Sequence, residues 1–287
     1  MKNQETTIKR LFLFAGYNKS GTIDDALIYY IKQLSEFGDI VLFMDSDCSE
    51  SELNKVNEYC IHTSGVRHGE YDFGSYKRAY IWATQNLNIK NYNYIYMVND
   101  SVYGPLYNLS VYFQKMESCK CDAFGIVKNP HRTHPHIQSW FIGLTQNIFT
   151  TAWFDKFMHN IKKLSSKGEI TREYEHGLSK LITEHDHKWY CLYTVHGRGI
   201  YNKIKKLYRQ KMPFMKKVAF TRNHGALGGE IQYILKRVSK NASTSILSSA
   251  THVYGKQYIN WLLTKNPIKI FIRKLHHITY KLFIEGI

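Results

Sequence analysis

YIYMVNDSVYGPL, residues 94–106, decides how the chain is to be read. It opens on an apolar and aromatic run of the kind that fills a strand buried on both faces. The run stops at Asn99-Asp100-Ser101, and Gly104-Pro105 then turns the chain. Packing gives no reason to set a carboxylate between small polar residues at the end of such a strand. A ligand does, because in an open parallel sheet the loops and helix N-termini converge at the carboxyl ends of the strands.

The same pattern recurs on either side. Residues 10–17 (RLFLFAGY), 40–44, 60–64, 92–98, 122–127 and 137–144 have the make-up of strands. Residues 22–37, 49–59, 76–87 and 106–116 carry helical spacing, the third after a turn at Asp72-Phe73-Gly74. Strand and helix in alternation require crossover connections. The expectation is an α/β protein with a Rossmann-type, mostly parallel sheet flanked by helices. Gly16-Tyr17-Asn18, Asp45-Ser46-Asp47 and Asn99-Asp100-Ser101 would then share one rim.

Composition sets the outer limits. A chain of 287 residues with 44% hydrophobic and 15% aromatic content can bury enough apolar surface to fold, which excludes a disordered protein. Five cysteines without a C-x-x-C pair fit a reducing compartment. The N-terminus is polar, and no segment approaches the roughly 20 apolar residues of a membrane span, so the body is expected in the cytoplasm. A net charge of +16 suits nucleic acid, an anionic membrane face or phosphate-bearing substrates, or is a generic basic surface. The Ser- and Ala-rich stretch SKNASTSILSSAT, residues 239–251, reads as a separator, giving a main domain over 1–238 and a C-terminal element over 239–287.

Several motifs carry candidate chemistry. Asp100 can hold a divalent cation that bridges two phosphates of a nucleotide-sugar. Asp45-Ser46-Asp47 has the spelling of a D-x-D element but follows the second strand, where base or ribose contacts are more usual, and Asp47 or Ser49 can equally cap the next helix. In RHGEYDFGSYKRAY, residues 67–80, Lys77 and Arg78 suit diphosphate oxygens and Asp72 a sugar or ribose hydroxyl. The competing reading is a helix whose charges face water. HPHIQSWFIGL, residues 134–144, puts His136 and Gln138 on one face of a strand beside Ser139, with Trp140 and Phe141 following, as a platform for a sugar ring; a lone histidine there is otherwise structural. GEITREYEHGLSKLITEH, residues 168–185, opens a helix with Thr171 as its cap. Glu173 and Glu175 either complement the helix dipole or supply a base that takes a proton from an attacking hydroxyl, with Asp122 a further candidate.

In their order and spacing, EYDFGSYKRAY, YIYMVNDSVYGPL, CDAFGI, HIQSWFIGL, YEHGLSKLI and MPFMKKVAF resemble the rhamnan synthesis protein F family of bacterial polysaccharide glycosyltransferases, over about residues 10–235. The resemblance implies a GT-A-like fold. It also implies transfer of a sugar, rhamnose favoured, from a nucleotide diphosphate to a lipid-linked surface polysaccharide or the O-antigen of lipopolysaccharide, with Mg²⁺ or Mn²⁺ as cofactor. Galactofuranose, glucose and galactose stay open as donor sugars. By position it implies that Asp72, Phe73 and Gly74 line the donor, that Asn99, Asp100 and Ser101 form the metal or diphosphate element, that His136, Gln138 and Ser139 lie on a site strand, and that Glu175 belongs to a Y-E motif.

The tail PIKIFIRKLHHITYKLFIEGI, from Pro267, plots as a basic amphipathic helix. Ile268, Phe271, Ile272, Leu275, Ile278, Leu282 and Phe283 share one arc, and Lys269, Arg273, Lys274, His276, His277 and Lys281 the other. Such a helix can lie on an anionic bilayer, which would place the enzyme peripherally on the inner face of the cell membrane. It can instead dock on the chain's own core or on a second subunit of a homo-oligomer. A nucleic-acid-binding protein is the reading from another class, permitted by the charge and the 22 tyrosines. No recognisable nucleic-acid-binding signature accompanies them, so nucleic acid is not an expected partner.

Overall fold

The computed structural model describes residues 8–283. Its strands, in chain order, are β1 (Arg10–Gly16), β2 (Asp39–Met44), β3 (His62–Gly65), β4 (Tyr94–Asn99), β5 (Val102–Tyr103), β6 (Ala123–Asn129), β7 (His136–Ile137), β8 (Phe141–Thr145), β9 (Trp189–Thr194) and β10 (Met215–Lys216). The chain divides into two compact units. The first takes the chain up to residue 23 together with 30–100 and 109–196, and the second takes 24–29, 101–108 and the chain from 197 onward.

The first unit is built on a sheet of order β3-β2-β1-β4-β8-β6-β7, with β9 also paired to β6. β1, β2, β3 and β4 run parallel to one another, while β8 is antiparallel to both β4 and β6, β7 is antiparallel to β6, and β9 is parallel to β6. The expected mostly parallel sheet is therefore present, with β7 and β8 reversed. Its central strands are buried on both faces, which is why they read as unbroken apolar runs. Leu11, Leu13 and Ala15 of β1 pack with Tyr76, Ala79 and Tyr80 of the helix Tyr71–Asn86. On the opposite face, Phe12 stacks on Tyr96 at 5.3 Å and meets Phe113 of the helix Ser110–Glu117 at 5.8 Å. Gly143 of β8 is small for a reason: a Cβ there would lie 2.2 Å from the Phe124 ring and 2.6 Å from that of Tyr96.

Local structure departs from the sequence expectation in four places. The third helix begins at Tyr71, so Asp72-Phe73-Gly74 forms its first turn rather than a turn before it. The reversal is taken by Gly69 (φ 71°) and Tyr71 (φ 59°). The segment 137–144 breaks into β7 and β8 around Gln138, Ser139 and Trp140. The later helix is capped by Ser166, whose hydroxyl accepts from the Glu169 amide at 3.2 Å, and not by Thr171. It passes through a π-helical stretch, Thr171–His176, before continuing as Gly177–Glu184. Residues 49–59 form two short pieces, Glu50–Leu53 and Asn57–Tyr59.

The second unit contains the antiparallel pair β5 and β10 and the helices Gly228–Leu235, Lys240–Tyr254, Lys256–Leu262 and Pro267–Phe283. Residues 239–251, expected as a separator, belong to the second of these helices. Ile231 and Ile234 share a core with Ile246 and Ala250, so no boundary falls at 238. The small residues face inward: Ala242, Ser245, Ser249 and Ala250 are buried, and the Ser245 hydroxyl donates to the Ala242 carbonyl at 3.0 Å. Small side chains let the helix approach its neighbours closely, and the serine hydroxyls find partners, which composition alone does not reveal.

One buried ion pair anchors the amino end of β1. Arg10 meets Glu117 through two bonds of 2.6 and 2.7 Å, and the Tyr96 hydroxyl donates to the same carboxylate at 2.6 Å. Replacing Glu117 with Ala leaves the guanidinium uncompensated, and urea unfolding should show a loss of about 3–5 kcal/mol.

Candidate functional site

The site is assembled in the first unit, at the carboxyl ends of β1, β2 and β4. Asn99 closes β4 and is almost fully buried. Its Nδ2 donates to Oδ2 of Asp72 at 2.8 Å, joining the strand end to the first turn of the helix Tyr71–Asn86. One turn further along that helix, the buried Tyr76 hydroxyl donates to the Ser139 carbonyl at 2.9 Å. The Ser139 amide in turn donates to Oε1 of Glu175 at 2.9 Å. Four separated motifs are thus held together by three hydrogen bonds. Burial pushes the Tyr76 hydroxyl well above its ordinary pKa, with the Asp72 charge adding to the effect, so it stays a proton donor.

Asp100 follows directly. Its amide donates to the Ala15 carbonyl at 3.2 Å, which holds the loop against the end of β1. Burial, reinforced by the Asp100 charge, raises the Tyr30 hydroxyl well above its ordinary value. Ser101 falls in the second unit, where Lys216 Nζ donates to its hydroxyl at 2.8 Å.

The β1 and β2 ends form the neighbouring part of the rim. Asp45 accepts from the amides of His68 (2.8 Å), Gly69 (2.7 Å) and Tyr71 (3.3 Å). Burial alone would raise its carboxyl, but the amides of Gly69 and His68 overcome that and hold it below the ordinary carboxylate range. Asp45 therefore shapes the loop that launches the helix. Asp47 does similar work on the Arg67 amide, at 2.9 Å. The Gly16 carbonyl accepts from the Asp45 amide at 2.8 Å, and the Asn18 amide donates to the Ser46 hydroxyl at 2.9 Å. The Asn18 side chain accepts from the Ser20 amide at 2.9 Å, so Asn18 organises its own turn. Tyr17 is exposed beside it, with the Arg67 guanidinium 5.8 Å over its ring.

The Glu175 end carries a row of imidazoles. His136 Nε2 lies 4.0 Å from Glu175 Oε1, and His136 Nδ1 faces the His134 carbonyl at 2.7 Å. A carbonyl only accepts, so Nδ1 carries the proton and Nε2 is directed to the carboxylate. The His176 ring lies 4.3 Å from that of His136 and 5.5 Å from that of His134, which lies 5.8 Å from His131. Burial, then the neighbouring His136, His134 and His131, lower His176 to about 4. Its Nδ1 is a buried ring nitrogen without a hydrogen-bond partner in the protein. The π-helical stretch ending at His176 is a costly irregularity of a kind that accumulates at functional sites.

Other candidates are placed elsewhere. Asp122 precedes β6, and the register through β8 sets it level with Tyr94, at the opposite end of β4 from Asn99. There it binds Asn147 Nδ2 at 2.7 Å and His187 Nδ1 at 3.1 Å, which removes it as a base for this site. Glu173 pairs with its exposed neighbour Arg172. Lys77 donates to the Ile161 carbonyl at 2.6 Å, and Arg78 pairs with Glu70 at 2.7 Å, so both cations serve the fold around the helix. Gln138 accepts from Trp140 Nε1 at 2.8 Å and positions that ring. Phe73 and Gly74 are buried in the helix; a Cβ at Gly74 would lie 2.3 Å from the Glu70 side chain. Sequence reasoning missed Tyr76, Arg67 and His176. For the first, the signal was present as a tyrosine four residues after Asp72, on the same helix face.

Among the described residues, no three carboxylate, imidazole or thiolate groups converge as a cation cage. Asp100 alone at a strand end fits a cation that takes most of its ligands from a bound molecule's phosphates.

A family model described as rhamnan synthesis protein F matches residues 40–282. A relative from Sinorhizobium fredii (strain NBRC 101917 / NGR234), the uncharacterized protein y4gN, is 23% identical over 167 residues, covering 57% of this chain and 43% of its own length. The chain therefore spans less than half of the curated relative it matches. Core-mannan synthase A from Aspergillus fumigatus, in an Mn/GDP form, aligns with a TM-score of 0.32 and 14% identity over 55% of this chain and 65% of its own. The mannosyltransferase Ktr4p from S. cerevisiae aligns at 0.32 and 9% identity, over 52% and 59%.

The imidazole row makes stability pH-dependent in a defined direction. A histidine whose pKa is lowered on folding binds its proton more readily in the unfolded chain, so stability declines as pH falls from about 6.5 toward about 4. His176→Gln should flatten the slope of unfolding free energy against pH in that window. An unchanged slope would exclude His176 as its source.

Proposed function

Because the chain belongs to the rhamnan synthesis protein F family, we propose that it is a GT-A-like glycosyltransferase that moves a sugar from a nucleotide diphosphate to a growing surface glycan. The observation supporting this reading is the chain of hydrogen bonds from Asp72 through Asn99, Tyr76 and Ser139 to Glu175. It brings a strand-end carboxylate region and a second carboxylate into one network. The donor's diphosphate lies at Asp100, with the nucleotide toward Tyr17, Arg67 and the loop shaped by Asp45. A Mg²⁺ or Mn²⁺ ion bound with the donor would take Asp100 as a ligand and supply neutralisation of the phosphate charge.

Glu175 is the base. Its carboxylate accepts the proton of the acceptor hydroxyl as that oxygen forms a bond to the anomeric carbon and the bond from that carbon to the diphosphate breaks, releasing the nucleoside diphosphate. Ser139 fixes the carboxylate through Oε1, and His136 faces the same oxygen. Trp140, held by Gln138, lies beside Ser139 as an apolar wall of the site. Rhamnose is the favoured sugar, and the acceptor is a lipid-linked polysaccharide or O-antigen at the inner face of the cell membrane.

Three measurements test this. The preferred nucleotide-sugar should raise the melting temperature by mass action, and chelating divalent cations should reduce that shift. Asp100→Ala should abolish transfer with an unchanged melting temperature. Glu175→Gln should lower kcat by about 10²–10⁴ while donor binding persists. Full transfer in either variant removes the role assigned to that residue.

A further inference from the structure

The helix Pro267–Phe283 sits in the second unit the wrong way round for a helix that stabilises its own fold. Ile268, Phe271, Ile272, Leu275 and Ile278 span about 120° of its circumference at 100° per residue. Each is between 49% and 68% exposed. The side chain turned inward is the charged one: Arg273 is 4% exposed. Its Nη1 donates to the Trp261 carbonyl at 2.7 Å and to the Leu262 carbonyl, and its guanidinium lies 5.3 Å from the Trp261 ring. Those carbonyls end the helix Lys256–Leu262, where backbone acceptors lack intrahelical partners and attract a cation. Gly228 keeps the approach open, since a Cβ there would lie 2.1 Å from the Leu262 carbonyl and 3.1 Å from Arg273. Capping by Arg273 therefore sets the rotation of the helix and directs its apolar arc away from the unit's core. The side chains of Lys274, His276, His277, Thr279 and 280–283, and residues 284–287, lie outside the described residues.

We propose that this arc is a docking face for an anionic lipid bilayer. The helix is not long and apolar enough to cross a membrane, and lies in the plane of the headgroups instead. Charge selects the occupant. No Asp or Glu occurs in Pro267–Phe283, exposed Lys265 and Lys269 flank the arc, and Trp261 is partly exposed beside it. Two copies packed on this face would set like charges together, whereas phosphate headgroups complement them. The proposal deepens the transferase reading by naming the surface on which a lipid-linked acceptor is met, and the arrangement of Arg273 carries it independently of the sugar chemistry.

Cosedimentation of the full chain with vesicles of phosphatidylcholine, with and without phosphatidylglycerol, tests it without any nucleotide-sugar. Failure here leaves the donor thermal shift untouched, and the reverse also holds. Binding is expected to the phosphatidylglycerol vesicles and to weaken as salt rises. The double variant Phe271→Asp/Leu275→Asp should bind at least about tenfold more weakly. Lys265→Glu/Lys269→Glu should do the same. Both pairs are exposed, so unchanged melting shows that the fold is kept. Equal binding to both vesicle types, full binding by the Phe271/Leu275 variant, or a vesicle-free dimer in light scattering that the same variant dissolves, would overturn the proposal.

Discussion

The hydrogen bond between Asn99 Nδ2 and Asp72 Oδ2 is the constraint on which the site depends. It is almost wholly withdrawn from water on the Asn99 side, and a buried amide left without its acceptor would cost about 1–3 kcal/mol. The bond therefore fixes the start of one helix against the end of one strand. The Tyr76 hydroxyl and the Ser139 amide extend the same constraint to Glu175. A network of this kind rigidifies when every member is satisfied, and that stiffness lets a carboxylate keep its position while a substrate reacts.

Charge is deployed in two distinct ways. Around the helix Tyr71–Asn86, Asp45, Lys77 and Arg78 are committed to backbone atoms and ion pairs that hold the loop and helix in place. The second is the imidazole row beside Glu175. Burial, and then the neighbouring rings of His136, His134 and His131, work against protonation of His176 and lower it to about 4. That arrangement costs stability in acid.

The second unit repeats the lesson with Arg273. A cation drawn to helix-end carbonyls turns an amphipathic helix so that its greasy side looks outward. Amphipathicity is a property of the sequence, but the direction in which the apolar side points is a property of what the polar side finds to bind.

The sequence by itself determined the alternation of strands and helices and the strand ends at Gly16, Asp45 and Asn99. These follow from short-range periodicity, and apolar runs such as 11–15 and 94–98 have no other stable use. Tertiary structure alone decided which polar residues meet. Asp122 and Glu175 are equivalent as letters, yet β6 runs in the same direction as β4, so Asp122, which precedes it, lies at the amino end of the sheet, whereas the π-helical stretch carries Glu175 to Ser139. Lys77 and Arg78 looked like phosphate ligands until the carbonyl of Ile161 and the carboxylate of Glu70 claimed them. The Ser-rich stretch at 239–251 looked like a linker until its small side chains were packed inward. The Ile161 carbonyl that takes Lys77 lies 84 residues away, so spacing within the motif could not reveal it; Glu70, which takes Arg78, lies within the motif, and only the folded loop before the helix brings the two together.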